Sequence, residues 1–290
     1  MKKFFLLIAG LALFSAVVGC VVGASAKEFG GLFAARKSIK GSGVLVTRTV
    51  KVGKFDAVEA SRAIRVDIRS AQAGEAVVEA DDNLMDKVVV KVDGGTLKIG
   101  FDKSVESISD HHVTVTVPYS EHIGSLKASS AARIVCEQPL KACEVELKAS
   151  SAAVIKASAE ADECSVKASS ASRIDCKFTG IECELEASSS AHIVADVTAA
   201  DCEIDLSSAS KLEIEGSALR CDADVSSAAT LSAERFEIKT AYVDASSGSS
   251  ARIRCTGSLK AGASSGASIR YSGDCRVEAR TSSGGSIREK

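Results

Sequence analysis

Acidic residues are the side chains of this 290-residue sequence whose spacing most clearly suggests chemistry. They recur about every 19 residues, in step with a repeat. If their segments are stacked strands, they share one outward face, where like charges one strand spacing apart repel each other. Such a row is typical of a solvated surface, but clustered carboxylate oxygens also suit Ca²⁺, the only cofactor that the sequence suggests. The candidate cation-binding residues are Glu184, Glu186, Glu203, Asp205, Asp222, Asp224 and Asp244.

Cysteines are the second group of side chains whose spacing suggests a chemical role. Nine of them follow Cys20, at positions 136, 143, 164, 176, 183, 202, 221, 255 and 275. Alternation places residues 164, 183, 202 and 221 at one inward position, residues 136, 176 and 255 at another, and residues 143 and 275 also in inward phase. We therefore expect buried free thiols. Disulfides between coils remain an alternative, although parallel Cβ vectors would strain them, and without accompanying histidines a metal ladder is less favoured.

Both sets are positioned by a recurring phrase of small residues. It reads Lys127-Ala-Ser-Ser-Ala-Ala-Arg-Ile134, returns at 148–155 and 167–174, and continues in degenerate copies to 282–287. Short alternating segments flank each Ser-Ser pair, as in Cys164-Ser-Val-Lys-Ala168. A fixed period near 20 indicates one structural unit stacked on itself. The fold class is therefore all-β, a single-domain parallel β-helix (β-solenoid) with coils of about 19 residues, and right-handed winding is expected.

The hydrophobic positions predict two buried ladders. One contains Val166, Leu185, Ile204 and Val243, and the other contains Ile134, Ile155, Ile174 and Ile193. The composition agrees, because aromatic residues are only 4% and a narrow coil interior has little room for rings. About thirteen coils would fit after the leader at this period.

The N-terminal residues resemble an export signal. Residues 1–26 combine Lys2 and Lys3 with an apolar segment that is too short for a stable membrane span. Val17-Val-Gly-Cys20 resembles a bacterial lipobox and makes Cys20 a candidate lipidation site, whereas Ala24-Ser-Ala26 fits ordinary signal peptidase. Residues 27–43 are expected to form a flexible tether, and 44–290 the β-helical domain, with less regular coils over 44–123 and regular repeats over 124–290.

A family resemblance emerges from the order of motifs in the first half. Phe55-Asp-Ala-Val58 and Ile64-Arg-Val-Asp-Ile68 precede Val77-Val-Glu-Ala-Asp81, Gly95-Thr-Leu-Lys-Ile99 and Val113-Thr-Val-Thr-Val-Pro118, which lead into the repeats. This order resembles the auto-transporter adhesin head (GIN) domain family of exported bacterial proteins, long known as a domain of unknown function. The resemblance covers about residues 44–290. It implies a β-helical envelope protein and brings no catalytic residues.

The function class follows from these features. We expect a non-enzymatic bacterial cell-envelope protein, exported to the outer membrane, periplasm or exterior, with an adhesion, scaffold or interaction role. The alternative is a glycan-binding or polysaccharide-cleaving β-helix, which rests on fold analogy. The expected partner is a protein or glycan at the envelope, with membrane attachment if Cys20 is lipidated. A net charge of −2 and few aromatic residues argue against nucleic acid.

Overall fold

The computed structural model of the chain describes residues 38–290, so Cys20, the expected leader and residues 27–37 of the expected tether lie outside the described residues. Residues Ile39–Lys290 form one compact unit. The predicted β-solenoid is confirmed, with coils of about 19 residues, but it has about nine turns rather than thirteen. The described residues include one 3₁₀ turn, Met85–Lys87, and no helix long and apolar enough to cross a membrane.

Strands account for most of the described residues. In chain order they are β1 (Ser38–Lys40), β2 (Leu45–Lys51), β3 (Ala57–Ala60), β4 (Arg65–Arg69), β5 (Glu75–Asp81), β6 (Val88–Asp93), β7 (Thr96–Phe101), β8 (Ser107–Ser109), β9 (Val113–Pro118), β10 (Ser125–Ala128), β11 (Arg133–Cys136), β12 (Glu144–Ala149), β13 (Val154–Ala168), β14 (Arg173–Ala187), β15 (His192–Leu206), β16 (Lys211–Val225), β17 (Thr230–Ala245), β18 (Ser250–Ala263), β19 (Ser268–Ser272), β20 (Arg276–Thr281) and β21 (Ser286–Glu289).

Each Ser-Ser phrase forms a tight corner between two strands. At the corner between β13 and β14, Ser170 and Ala171 have φ angles of 51° and 59°. The amide of Ser172 donates to the carbonyl of Ser169 over 3.2 Å. Two consecutive left-handed residues closed by this hydrogen bond make a type I′ turn. The small-residue phrase is therefore the device that reverses the chain once per coil.

Glycine is absent from most of these left-handed positions. From Ser130 to Ala228 the two positions hold Ser-Ala or Ser-Ser, and glycine takes the second position only at residues 248, 266 and 284. A side chain makes this backbone strained. Hydrogen bonds between stacked corners offset this strain. For example, the amide of Ala171 donates to the carbonyl of Ser189 in the next coil over 3.0 Å.

A second bend lies inside each long strand. In β14, Ile181 and Glu182 are exposed in succession, so the inward positions change from even to odd numbers. The segments before the Ser-Ser corners stack in parallel as one face of the coil, and the segments after the corners stack as the other.

Both predicted hydrophobic ladders are confirmed. Parallel pairing joins Ile134, Ile155, Ile174 and Ile193 in one ladder, and Val166, Leu185, Ile204, Ala223 and Val243 in the other. Every member is at most 1% exposed. Burial of these side chains is the main favourable term for the coil, since each aliphatic residue contributes roughly 1.5–3 kcal/mol when fully buried.

The region 44–123 closes the N-terminal end of the coil. Strands β3 and β7 continue one face in parallel, and β4 and β9 continue the other. Three further pairs are antiparallel, β6 with β7, β5 with β9, and β2 with β5, and β1 and β8 form a separate two-stranded sheet. The less regular region is therefore part coil and part antiparallel cap, and the β6–β7 hairpin turns at Gly94 and Gly95.

The buried carboxylate of Asp81 and the side chain of Asn83 hold residues 40–43 against this cap through hydrogen bonds. Asp81 is 2% exposed, and it accepts hydrogen bonds from the amides of Gly43 and His112, both over 2.7 Å. These amides, that of His112 first, hold the pKa of Asp81 below its ordinary value although burial acts to raise it. The side chain of Asn83 donates to the carbonyl of Lys40 over 2.8 Å. Residues 40–43 are thus bound to the β5 turn.

Candidate functional site

The seven predicted carboxylates lie on the outward side of the segments that precede the Ser-Ser corners. Parallel register stacks residues 184, 203 and 222 in one column and residues 186, 205, 224 and 244 in its neighbour. The structure therefore brings all seven together. The reason is the strict register, which repeats each outward position one strand spacing along the coil axis.

Sequence reasoning missed a third acidic column beside these two. Glu144, Glu163, Glu182 and Asp201 pair in register, and Glu146 extends the column of Glu184. Their signal was present, because three of them immediately precede a stacked inward cysteine and are outward by alternation. We call the full set the acidic face: Glu144, Glu146, Glu163, Glu182, Glu184, Glu186, Asp201, Glu203, Asp205, Asp222, Asp224 and Asp244.

Lysines neutralise the N-terminal edge of the acidic face. Lys127, Lys148 and Lys167 stand in the same column as Glu186. The Nζ atom of Lys167 lies 2.8 Å from Oε1 of Glu184 and 3.2 Å from Oε2 of Glu186. Hydrogen bonds from Lys167 and then from Ser165 hold the pKa of Glu184 below its ordinary value.

The centre of the acidic face lacks such partners. In the part of the chain that the structure describes, Glu203, Asp205, Asp222, Asp224 and Asp244 form no salt bridge. Partial burial, followed by the charges of the three neighbouring aspartates, raises the pKa of Asp224. The centre therefore carries uncompensated negative charge, which an approaching cationic group would relieve.

The outward surface after the corners has a different charge pattern. Opposite charges pair there: for example, Nζ of Lys177 lies 2.9 Å from Oδ2 of Asp196, and an Nη atom of Arg235 lies 3.2 Å from Oε2 of Glu215. We call this the mixed-charge face. Its salt bridges include Arg173–Asp175, Lys177–Asp196, Lys211–Glu213, Arg235–Glu215 and Arg254–Glu237.

The described residues do not form a ready metal site. Among residues 38–290, no group of three or more His, Cys, Asp or Glu side chains is arranged to hold a metal ion. The carboxylates of the acidic face stand side by side along the strands and do not converge on a point. Calcium binding at the seven predicted residues therefore stays a prediction.

The main cysteine column is confirmed. Cys164, Cys183, Cys202 and Cys221 pair in register, and all are buried free thiols. Burial raises the pKa of the Cys164 thiol, and burial likewise raises the pKa of Cys136 to about 11. Thiols held in the protonated form away from solvent are poor nucleophiles, so these residues act as small core side chains.

Two other cysteine placements, those of Cys143 and Cys255, were wrong, and that of Cys275 is confirmed only in part, because it packs against the core without full burial. Cys143 is exposed because it lies at a bend, where its carbonyl accepts the amides of residues 162 and 163. Cys275 is only partly buried because it begins the last coil. Cys255 is buried but pairs with Ile238 rather than with the position of Cys176, because Ala251 occupies the isoleucine-ladder position of that coil.

Comparison with protein-family models shows which family the chain belongs to. The family model described as "Putative auto-transporter adhesin, head GIN domain" matches residues 54–180 and 173–275. The chain belongs to this family. Two of the similar solved structures are described as putative adhesins: one from Parabacteroides merdae (18% identity, TM-score 0.67, covering 87% of this chain and 99% of that one) and one from Parabacteroides distasonis (19%, 0.67, 88% and 100%).

A third similar structure, from Parabacteroides distasonis, is described as a putative lipid binding protein (19% identity, TM-score 0.66, covering 88% of this chain and 100% of that one). At these identities the structural likeness establishes the fold alone. No curated protein matches the chain significantly. Membership of the GIN-domain family supports a non-enzymatic, adhesin-like role for an exported or cell-surface protein.

Proposed function

We propose that this protein is a non-enzymatic adhesion or scaffold protein of the bacterial cell envelope, and that the acidic face is its contact surface. The observation that carries the proposal is the contrast in charge pairing. Carboxylates of the mixed-charge face have basic partners in the chain, whereas the five central carboxylates of the acidic face have none among residues 38–290.

The contrast favours a partner with a basic surface, protein or aminated glycan. Complementary charges steer association and fix orientation, and they act best where the charges are not already satisfied within the chain. The acidic face repeats the same charged positions from coil to coil, so it suits an extended surface better than a single small substrate. A multivalent cation between the face and an acidic partner would serve the same purpose.

The contact surface can be tested with a polycation as the probe. Purified protein is passed over immobilised poly-lysine and over neutral dextran at low and moderate salt. The triple variant Glu203→Gln, Asp205→Asn, Asp222→Asn is expected to bind poly-lysine at least about tenfold more weakly. The matched control is Asp175→Asn, Asp196→Asn, Glu213→Gln, which makes the same change in net charge on the mixed-charge face.

The control decides between a specific surface and bulk charge. We expect the control variant to bind within about twofold of the native protein, because its carboxylates are neutralised internally. Equal losses in both variants would mean that only net charge matters, and the acidic face would lose its proposed role. The native protein and the two triple variants can then be compared on glycan and matrix-protein arrays to identify the partner.

Attachment to the envelope through Cys20 is part of the proposal. A lipid on this residue would anchor the domain at a membrane surface, since one or more acyl chains contribute about 0.8 kcal/mol per buried CH₂. Metabolic labelling with palmitate is expected to mark the native chain and not Cys20→Ser. A mature N-terminus at Lys27 in mass spectrometry would instead show cleavage by ordinary signal peptidase.

A second candidate function is binding of an amphiphile in a cleft of the cap. The cleft has a volume of about 670 Å³ and is lined in part by Val52, Phe55, Pro118 and Tyr119, with Lys54 among the polar residues. Its size is that of a small-molecule site, and its apolar wall next to a basic group suits a fatty acid. A fluorescent long-chain fatty acid should bind the native protein more tightly than Lys54→Glu, with Lys51→Glu as the control. Equal binding by all three would remove this candidate.

A further inference from the structure

The two ends of the solenoid differ in how their terminal strands are paired. At the N-terminal end, β7 and β9 are each covered by an antiparallel strand, β6 and β5 respectively. At the C-terminal end, β20 pairs with β18 and β21 pairs with β19, and in residues 38–290 neither strand has a second neighbour. Alternate amides and carbonyls along both strands therefore point away from the sheet, which is the template that another strand can use.

The interior of the last coil is also incompletely covered. Leu259 and Ile269 are 1% and 0% exposed, whereas their register partners Val277 and Ile287 are only partly buried. Ala279 is exposed although its partner Ala261 is 2% exposed. The open end thus presents a short apolar core between two unpaired strand edges, and solenoids require such ends to be capped.

The charges on β20 indicate what covers it. If two copies of β20 pair antiparallel about Val277, Arg276 lies opposite Glu278 of the second copy. This contact occurs twice by symmetry. In the described part of the chain, neither residue forms a salt bridge. A strand that is complementary to itself in one antiparallel register is suited to a second copy of the same chain.

We propose that the last coil is a dimerisation surface, through which two copies of this protein join end to end. A two-fold axis perpendicular to the coil pairs β20 with β20 and β21 with β21 at once, and it brings Val277 and Ile287 of one copy onto those of the other. At the N-terminal end the edge strands are β2 and β6, each with one antiparallel neighbour. A two-fold contact uses the same surface on both copies, so the association through the last coil closes as a pair and does not extend into a fibre.

The test is charge reversal with rescue, measured by sedimentation of the full-length protein from about 1 to 100 µM. The native chain is expected to sediment as a dimer at the upper end of this range. Arg276→Glu and Glu278→Arg each place like charges opposite each other twice and should weaken the dimer at least about tenfold. The double variant Arg276→Glu, Glu278→Arg restores opposite charges and should restore the dimer.

The control is Lys156→Glu, an exposed charge change in a central coil, which should leave the dimer intact. Circular dichroism of each variant checks that the coil is folded, and exposed edge substitutions should not disturb it. The proposal is overturned if the native chain remains monomeric throughout the range, as it would if another segment of the chain covered the end. It is equally overturned if the double variant stays as weak as the single variants, because the register would then be wrong.

Discussion

The acidic face and the mixed-charge face cover the same interior and arise from the same repeat. They differ in whether the charges stacked from coil to coil have opposite signs or the same sign. On the mixed-charge face the residue type changes from coil to coil, so that Lys177 meets Asp196 and Glu215 meets Arg235. On the acidic face, aspartate and glutamate repeat from coil to coil in the column of Asp224. Strand register forces outward positions to stack, but it leaves the choice of charge free, and the unbalanced charge of the acidic face is the feature on which the proposed contact surface rests.

The strongest test of the shared interior places one charge beneath each face. Leu185→Asp and Ile174→Asp are each expected to lower the free energy of unfolding by at least about 4 kcal/mol, because each leaves an unpaired carboxylate in a coil interior. Urea unfolding at neutral pH measures both. A small effect for either variant would contradict the common core and the two buried ladders.

Calcium should distinguish the two faces if it binds. Sites with a Kd near 1 mM, saturated by 10 mM calcium, would raise the free energy of unfolding by about 1.4 kcal/mol. We expect a rise in Tm for the native chain and none for Asp205→Asn, Asp224→Asn. The control Asp175→Asn, Asp196→Asn should keep the rise, and an unchanged native Tm would remove calcium from the acidic face.

A substitution at the corner that joins the two faces is expected to have a smaller effect on the free energy of unfolding. The buried hydroxyl of Ser210 donates to the carbonyl of Ala187 over 2.8 Å, and other coils have alanine at this position. Ser210→Ala should lower stability by about 1 kcal/mol, since the carbonyl keeps its bond from the amide of Ser207. Ser208→Ala, at the exposed left-handed position of the same corner, is the control and should change stability by less than about 0.5 kcal/mol.

The smallest expected effect concerns the pH dependence of Asp224. Burial and the neighbouring aspartates raise its folded-state pKa, so the protonated form favours folding and this contribution is lost as the pH rises from about 4 through the raised pKa. Asp224→Asn should therefore gain a few tenths of a kcal/mol at pH 7, where solvent screens most of the repulsion. The gain should vanish near pH 3.

The matched variant on the other face is Asp196→Asn, which removes the partner of Lys177. It should leave stability unchanged or lower at pH 7. Urea unfolding at both pH values gives the comparison. A gain in Asp196→Asn equal to that in Asp224→Asn would show that the two faces do not differ in charge balance.

Much of this architecture could be predicted from residue order alone. Alternation with period two assigned Ile174 and Leu185 to the interior and Glu184 and Asp205 to the exterior, and the constant coil length placed equivalent residues in columns. Both inferences depend on local chain geometry repeated many times. A single irregular coil misleads them: the phrase before Ile253 suggested that Cys255 matches Cys176, but the ladder position belongs to Ala251.

The sequence by itself determined the coil, its two ladders, the main thiol column and the alignment of the acidic residues, because each follows from a short period that side-chain direction obeys. Only the tertiary structure decided which charges are neutralised, since a partner such as Lys167 for Glu184 lies one coil away and depends on register. It also decided that antiparallel strands cover β7 and β9 at the N-terminal end and that, within residues 38–290, β20 and β21 each have a single neighbour. Strand pairing at the ends is non-local, and no periodicity in the chain records which edge remains without a neighbour.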